Sequence, residues 1–367
     1  MRIATFAALM AVGLALPLAG RCAETGQGLT LYGVVDAGLA VTSVSGQGSH
    51  SGLLNGGLTD TLWGMTGAED MGGGWSARFQ LESGFDPSSG KRADDDRYFN
   101  YAAWVGLGHD SFGDLRLGRQ HTIGQVYGNS LEIASWKEMG MGATFKASDN
   151  YQLSNLVNYY TPVWQGFQAG IGYSFDADDR SQFKTANNNR ALSLGLKYED
   201  GPLLAVATWD QLRLADAPPG SNGRPQAVQL GASYDFEVLK LSLAWSRQRN
   251  GDVGLDGGDP DGLGVGLGPA AFVRGGTVDA WLVGASVPVG PGAVLVQWSL
   301  AHPDWHWDNG MTARNAQVMT LGYTYSLSPR TTLYAFAGYA SNYTLDDQFD
   351  PAHSHTTRVG TGISHRF

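Results

Sequence analysis

Hydrophobic and polar positions alternate along this chain almost to its last residue. In 239–246, Leu239, Leu241, Leu243 and Trp245 share one face, and Lys240, Ser242, Ala244 and Ser246 the other. In 293–300, Val294, Val296, Trp298 and Leu300 oppose Ala293, Leu295, Gln297 and Ser299. In 74–82, Trp75, Ala77, Phe79 and Leu81 oppose Ser76, Arg78, Gln80 and Glu82. A repeat of two residues marks a strand with one apolar and one polar face. Helical spacing is scarce, which argues against layered α/β folds.

The connections alternate as well. Short ones, rich in Gly, Pro or Asp, fall at 69–73, 109–113, 162–166, 199–202, 235–238, 288–291 and 327–330. Long ones fall at 42–56, 85–96, 120–150, 176–189, 213–225, 249–276, 302–313 and 343–355. Seven short and eight long connections imply sixteen strands. Beyond residue 23 the chain allows about 21 residues per strand and connection, and a tilted membrane strand takes about 9–11. Short turns at one end, long loops at the other and an even strand number predict an all-β, 16-stranded antiparallel transmembrane β-barrel. Lipid offers backbone groups no hydrogen bonds, so such a sheet must close on itself. The uncharged stretch Trp281 to Leu300 is no membrane helix, because Pro288, Gly290, Pro291 and Gly292 break it into a hairpin. Phe367, the last residue, shares the apolar face with Val359 and Ile363 and suits an interfacial girdle.

Composition narrows the class. Among 367 residues, 52 are Gly and 16% are charged, against about 25% in an ordinary soluble domain. Net charge is −10, which disfavours a nucleic-acid partner. A single cysteine excludes a disulfide scaffold, and 43% hydrophobic residues with 11% aromatics exclude disorder. At the start, Arg2, the uncharged run Ile3 to Leu18 and the small residues up to Ala23 predict a secretory signal peptide over 1–23, cleaved between 20 and 23. Removal after Ala23 takes away Cys22, which fits an oxidising compartment. The barrel then occupies 24–367.

The order of short motifs carries a resemblance. Leu29-Thr30-Leu31-Tyr32-Gly33-Val34-Val35-Asp36-Ala37-Gly38 resembles the first strand of general porins of Gram-negative bacteria, of the β-proteobacterial type. So do Trp63-Gly64-Met65-Thr66-Gly67-Ala68-Glu69-Asp70, Phe79-Gln80-Leu81-Glu82, Val105-Gly106-Leu107, Leu117-Gly118-Arg119-Gln120 and Ile363-Ser364-His365-Arg366-Phe367. The resemblance implies a homotrimer of outer-membrane barrels, each a water-filled channel for passive diffusion of ions and small hydrophilic solutes. Outer-membrane lipid and lipopolysaccharide are the implied surroundings, and no cofactor is expected. It also implies that the third long loop, about 120–150, folds into its own barrel as a constriction.

In that family, acidic groups on the inserted loop face basic groups on the wall, and such charge clusters set ion preference. Arg119 sits where the family keeps a wall arginine. Arg78 and Arg116 face the lumen by alternation. On the loop, Glu132 and Glu138 are the expected acids, with Asp149 near its end, while Lys137 and Lys146 add to the basic side. Leu62, Tyr101 and Gln152 stand where wall arginines are common in the family. A thinner basic wall implies weak selectivity, shifted toward cations by Arg119→Ala. A solute-selective porin favouring carboxylates or phosphate is the alternative.

Other clusters have blander readings. His302, Asp304 and His306, with His353 and His355, could bind Zn²⁺ or Cu²⁺, but exposed-loop histidines are usually solvated. Asp252, Asp256, Asp259 and Asp261 resemble a calcium-binding repeat in a single copy only. Gly264-Val265-Gly266-Leu267-Gly268 lacks the strand-turn-helix context of a dinucleotide site. Asp94, Asp95 and Asp96 form a loop face suited to trimer or lipopolysaccharide contacts through bridging cations. Ser, His and Asp are present, but no spacing singles out a triad, so an enzyme is not expected.

Overall fold

The computed structural model describes residues 28–45, 48–137, 139–145, 152–216, 224–250, 276–304, 315–341 and 355–367. The expected signal peptide therefore lies outside the described residues. Seventeen strand segments follow one another along the chain. They are β1 (Gly28–Val44), β2 (Gly48–Asn55), β3 (Leu62–Gly72), β4 (Trp75–Gly84), β5 (Ala102–His109) and β6 (Gly113–His121). After one short helix, α1 (Ile123–Gly128), come β7 (Gln152–Tyr160), β8 (Phe167–Ser174), β9 (Arg190–Asp200), β10 (Leu203–Arg213) and β11 (Gln226–Asp235). The last are β12 (Lys240–Arg249), β13 (Thr277–Val289), β14 (Gly292–Asp304), β15 (Ala316–Ser328), β16 (Thr331–Ser341) and β17 (His355–Arg366).

Every ladder is antiparallel, and β1 closes on β17 from Val34↔Arg366 to Val44↔Thr356. The seventeen segments make sixteen staves, because β2 and β3 share one side of β1. β3 pairs with its first half and β2 with its second. The Asp36 carboxylate explains the break between them: it accepts the amides of Gly57 at 2.9 Å and of Leu58 and Thr59 at 3.2 Å. One expectation changes here. The predicted long connection 42–56 is mostly strand, with Val44 paired to Gly48. Its Gly- and Ser-rich composition reads as loop, yet Leu53 and Leu54 keep the alternation and β1 supplies the ladder.

The two faces are separated by parity. Outward residues such as Leu39 (62% exposed), Leu243 (59%) and Val359 (60%) would be intolerable in water as a continuous belt and suit lipid. Their neighbours Ser242, Ser246 and Arg358 point inward and are buried. At the short-turn end, Trp75, His109 and Phe112 pack together, with ring centroids 4.3–6.1 Å apart. Phe367 folds over outward-facing Gly33, where a Cβ would strike its ring. A terminal aromatic therefore sits at the rim, where an amphipathic girdle belongs.

Candidate functional site

The segment after β6 turns into the lumen. Thr122 caps α1, its Oγ1 accepting the Gln125 amide at 3.1 Å. From there the chain runs along the inner wall from β8 to β16. Its apolar side chains seat in turn on inward glycines: Tyr127 on Gly195, Leu131 on Gly231, Ile133 on Gly284, Trp136 on Gly322 and Met139 on Gly338. A Cβ at any of these glycines would overlap the loop side chain, so the missing side chains make the room. Ile123, Tyr127, Trp136, Met141 and Phe145 are fully buried as a result.

Polar wall residues satisfy the backbone of this segment. Ser193 Oγ accepts the Gly124 amide at 2.8 Å and donates to Asp210 at 2.5 Å. Gln229 donates to the Gly124 carbonyl, and Ser242 to that of Leu131. Gln297 Oε1 accepts the amides of Ile133 at 3.0 Å and Ala134 at 3.2 Å, and its Nε2 donates to the Ala134 carbonyl at 3.2 Å. Arg358 Nη1 donates to the Lys137 carbonyl and its Nε to Thr42 Oγ1, both at 2.9 Å. Buried backbone groups need such partners, so the loop is fastened rather than draped.

The wall not covered by the loop carries a polar chain on β1 and β3–β6. Trp104 Nε1 donates to Gln80 at 3.1 Å, and Gln80 and Glu82 both bond the Tyr32 hydroxyl. Arg78 and Arg116 flank Gly106 in one register row, so both expected cations face the lumen on either side of β5. Arg78 Nε donates to Ser76 at 3.0 Å. Arg116 pairs with Asp114 at 2.6 Å and lies between the rings of Trp104 (4.7 Å) and Tyr160 (4.8 Å).

Arg119 is placed differently from these two. It stands opposite Ala103, in the β6 set with Leu115 and Leu117, whose side chains are exposed on the outward face. Its Nε donates to the Asn100 carbonyl at 2.6 Å and its Nη1 to Ser154 Oγ at 3.1 Å. A bulge opposite it, between Leu153 and Leu156, contains Asn155 at φ 51°. Alternation along β6 itself puts Arg119 on the outward parity, and only the family resemblance implies a place on the lumen wall. Glu132 is turned into the loop, where it accepts the Met141 amide. Lys137 is held through its backbone, its amide donating to Gly57 at 3.1 Å. Glu138, Lys146 and Asp149 lie outside the described residues.

Of the positions lacking arginine, Leu62 is buried on the lumen parity, Tyr101 covers Gly84, and Gln152 pairs with His121 at the long-loop end. Arg358, Gln297 and the Lys197–Glu199 pair at 2.8 Å are lumen-facing groups that sequence reasoning missed. The alternation of β17, with Val359 outward, places Arg358 inward and could have revealed it. Outside the membrane, burial works against ionising Asp94. The Arg97 guanidinium and the amides of Asp96 and Arg97 outweigh this and hold its carboxyl below its ordinary value. Among the described residues no group of metal ligands converges, and His302 is engaged with Asn315 at 2.5 Å. His306, His353, Gly264 to Gly268 and the Asp252 to Asp261 run lie outside the described residues.

A closed barrel with an apolar belt, a polar lumen and a loop fastened inside it is an outer-membrane diffusion channel. The family model for Gram-negative porins matches residues 4–345, and the chain belongs to that family. It is 36% identical to an outer membrane porin protein of Bordetella pertussis, over 98% of this chain and 99% of the relative. It is 31% identical to outer membrane porin protein 32 of Delftia acidovorans, over 90% of this chain and 89% of the relative. Among solved structures, an anion-selective porin from Comamonas acidovorans superposes with a TM-score of 0.72 at 27% identity, covering 93% of this chain and 99% of that one. The protein is thus an outer-membrane channel for passive diffusion, and not an enzyme.

Proposed function

We propose that this porin is a weakly selective channel for ions and small hydrophilic solutes, assembled as a homotrimer after removal of a signal peptide at 20–23. The carrying observation is the pairing of lumen charge. Arg116 is neutralised by Asp114, Lys197 by Glu199, and Arg358 is buried beneath the loop. Arg78, like Lys240 and Arg366 on the same lumen parity, has no carboxylate partner among the described residues. A field from few unpaired charges discriminates poorly between ions.

The test is the reversal potential of single channels in a salt gradient. The wild type lies near zero. Arg78→Ala and Arg116→Ala each displace it toward cation preference, since the second leaves Asp114 unpaired. A displacement toward anions in both variants contradicts the assignment. The second reading, a channel favouring small anions, is favoured by the anion selectivity of the Comamonas relative. Block of the current by a dicarboxylate at low concentration would select it.

A further inference from the structure

Asp36 stands on the lumen parity of β1, completely buried, and no cation pairs with it among the described residues. A carboxylate shut away from water is tolerated only when donors fill its oxygens. Four do so: the amides of Gly57, Leu58 and Thr59, and the Tyr334 hydroxyl at 2.7 Å. The three amides belong to the turn 56–61, between β2 and β3. Tyr334, on β16, lies so close to Gly57 that a Cβ there would enter its ring. The turn is therefore hung between β1 and β16, the two neighbours of the closing strand β17.

This turn meets the far end of the inserted loop. The Gly57 carbonyl accepts the Lys137 amide at 3.1 Å, and the Leu58 carbonyl accepts the Ser135 hydroxyl at 3.3 Å. The Leu58 side chain is buried in one cluster with Trp136 and Met139. Gln297, on β14, fastens Ile133 and Ala134 separately. The bonds at Ser135 and Lys137 thus run back to Asp36, whose carboxylate bonds the turn and Tyr334 rather than the loop.

We propose that Asp36 is a positioning residue for the constriction: by shaping the 56–61 turn it fixes how far residues 133–139 reach across the lumen. This rests on the channel reading of the barrel.

The test is D36N, which keeps the shape of the side chain but turns one acceptor oxygen into a donor facing the turn amides. Hydrogen exchange is read residue by residue. The Lys137 amide exchanges about tenfold faster or more, the loss of one charge-assisted bond. The Ile133 and Ala134 amides keep wild-type exchange. Y334F moves Lys137 in the same direction by less. In liposome swelling, D36N admits a trisaccharide faster relative to a monosaccharide. An M139C/G338C disulfide, which pins the same end of the loop to β16 without the turn, restores the wild-type ratio to D36N when oxidised and not when reduced. Unchanged Lys137 exchange overturns the proposal. So does an equal rise at Ile133, Ala134 and the strands, which marks general destabilisation, and so does a solute ratio that stays at wild type or that the bridge fails to restore. Absence of conductance in the wild type refutes the channel reading instead, and the exchange comparison still decides on the tether. If D36N fails to fold, Y334F decides alone.

Discussion

Arg119 shows how one residue in a membrane strand can serve the wall rather than the water. Its guanidinium ties the end of the 85–101 loop, through Asn100, to β7, through Ser154. Each such bond to a charged group contributes about 1.5–3 kcal/mol. Arg119→Ala is therefore expected to leave the reversal potential close to wild type. It should speed proteolytic nicking within 85–101. A clear shift toward cations with unaltered nicking would return Arg119 to the channel lining. The contrast with Arg78 and Arg116 is one of local register. Those two lie on the lumen parity of their strands, whereas Arg119 lies on the outward parity of β6, opposite the bulge at Asn155. Alternation therefore reads the facing of all three, and it is the family's wall position that Arg119 does not follow.

At the scale of elements, the inserted loop and the wall are a matched pair. The inward glycines on β9, β11, β13, β15 and β16 leave room, and the loop offers a large apolar residue to each. Gln297 is the central fastening, satisfying two amides and a carbonyl at once. Gln297→Ala leaves buried amides of Ile133 and Ala134 without partners, at about 1–3 kcal/mol for each unsatisfied donor. The expected outcome is a noisier open-channel current and faster hydrogen exchange over 131–137. Unchanged noise and exchange would mean that the glycine seats hold the loop unaided. The strands and their parity were legible in the sequence, because lipid on one side and water on the other impose a two-residue period. The seating was not legible. Glycine is frequent throughout the chain, and nothing local marks which glycines face a distant loop. The 42–56 segment was hidden for a related reason, since its ladder depends on β1 rather than on its own composition.

For the whole molecule, closure of β1 on β17 removes every free edge along the bilayer, which lipid requires. The loop then divides the enclosed space. It covers the wall from β8 to β16 and leaves the β3–β6 side, with Tyr32, Gln80, Glu82 and Arg78, to border the water path. Reconstitution of the purified protein into a planar lipid bilayer tests the central claim most directly. The account predicts stepwise, non-saturating conductance increments that close in groups of three. Insertion that yields a folded barrel but no conductance would contradict it.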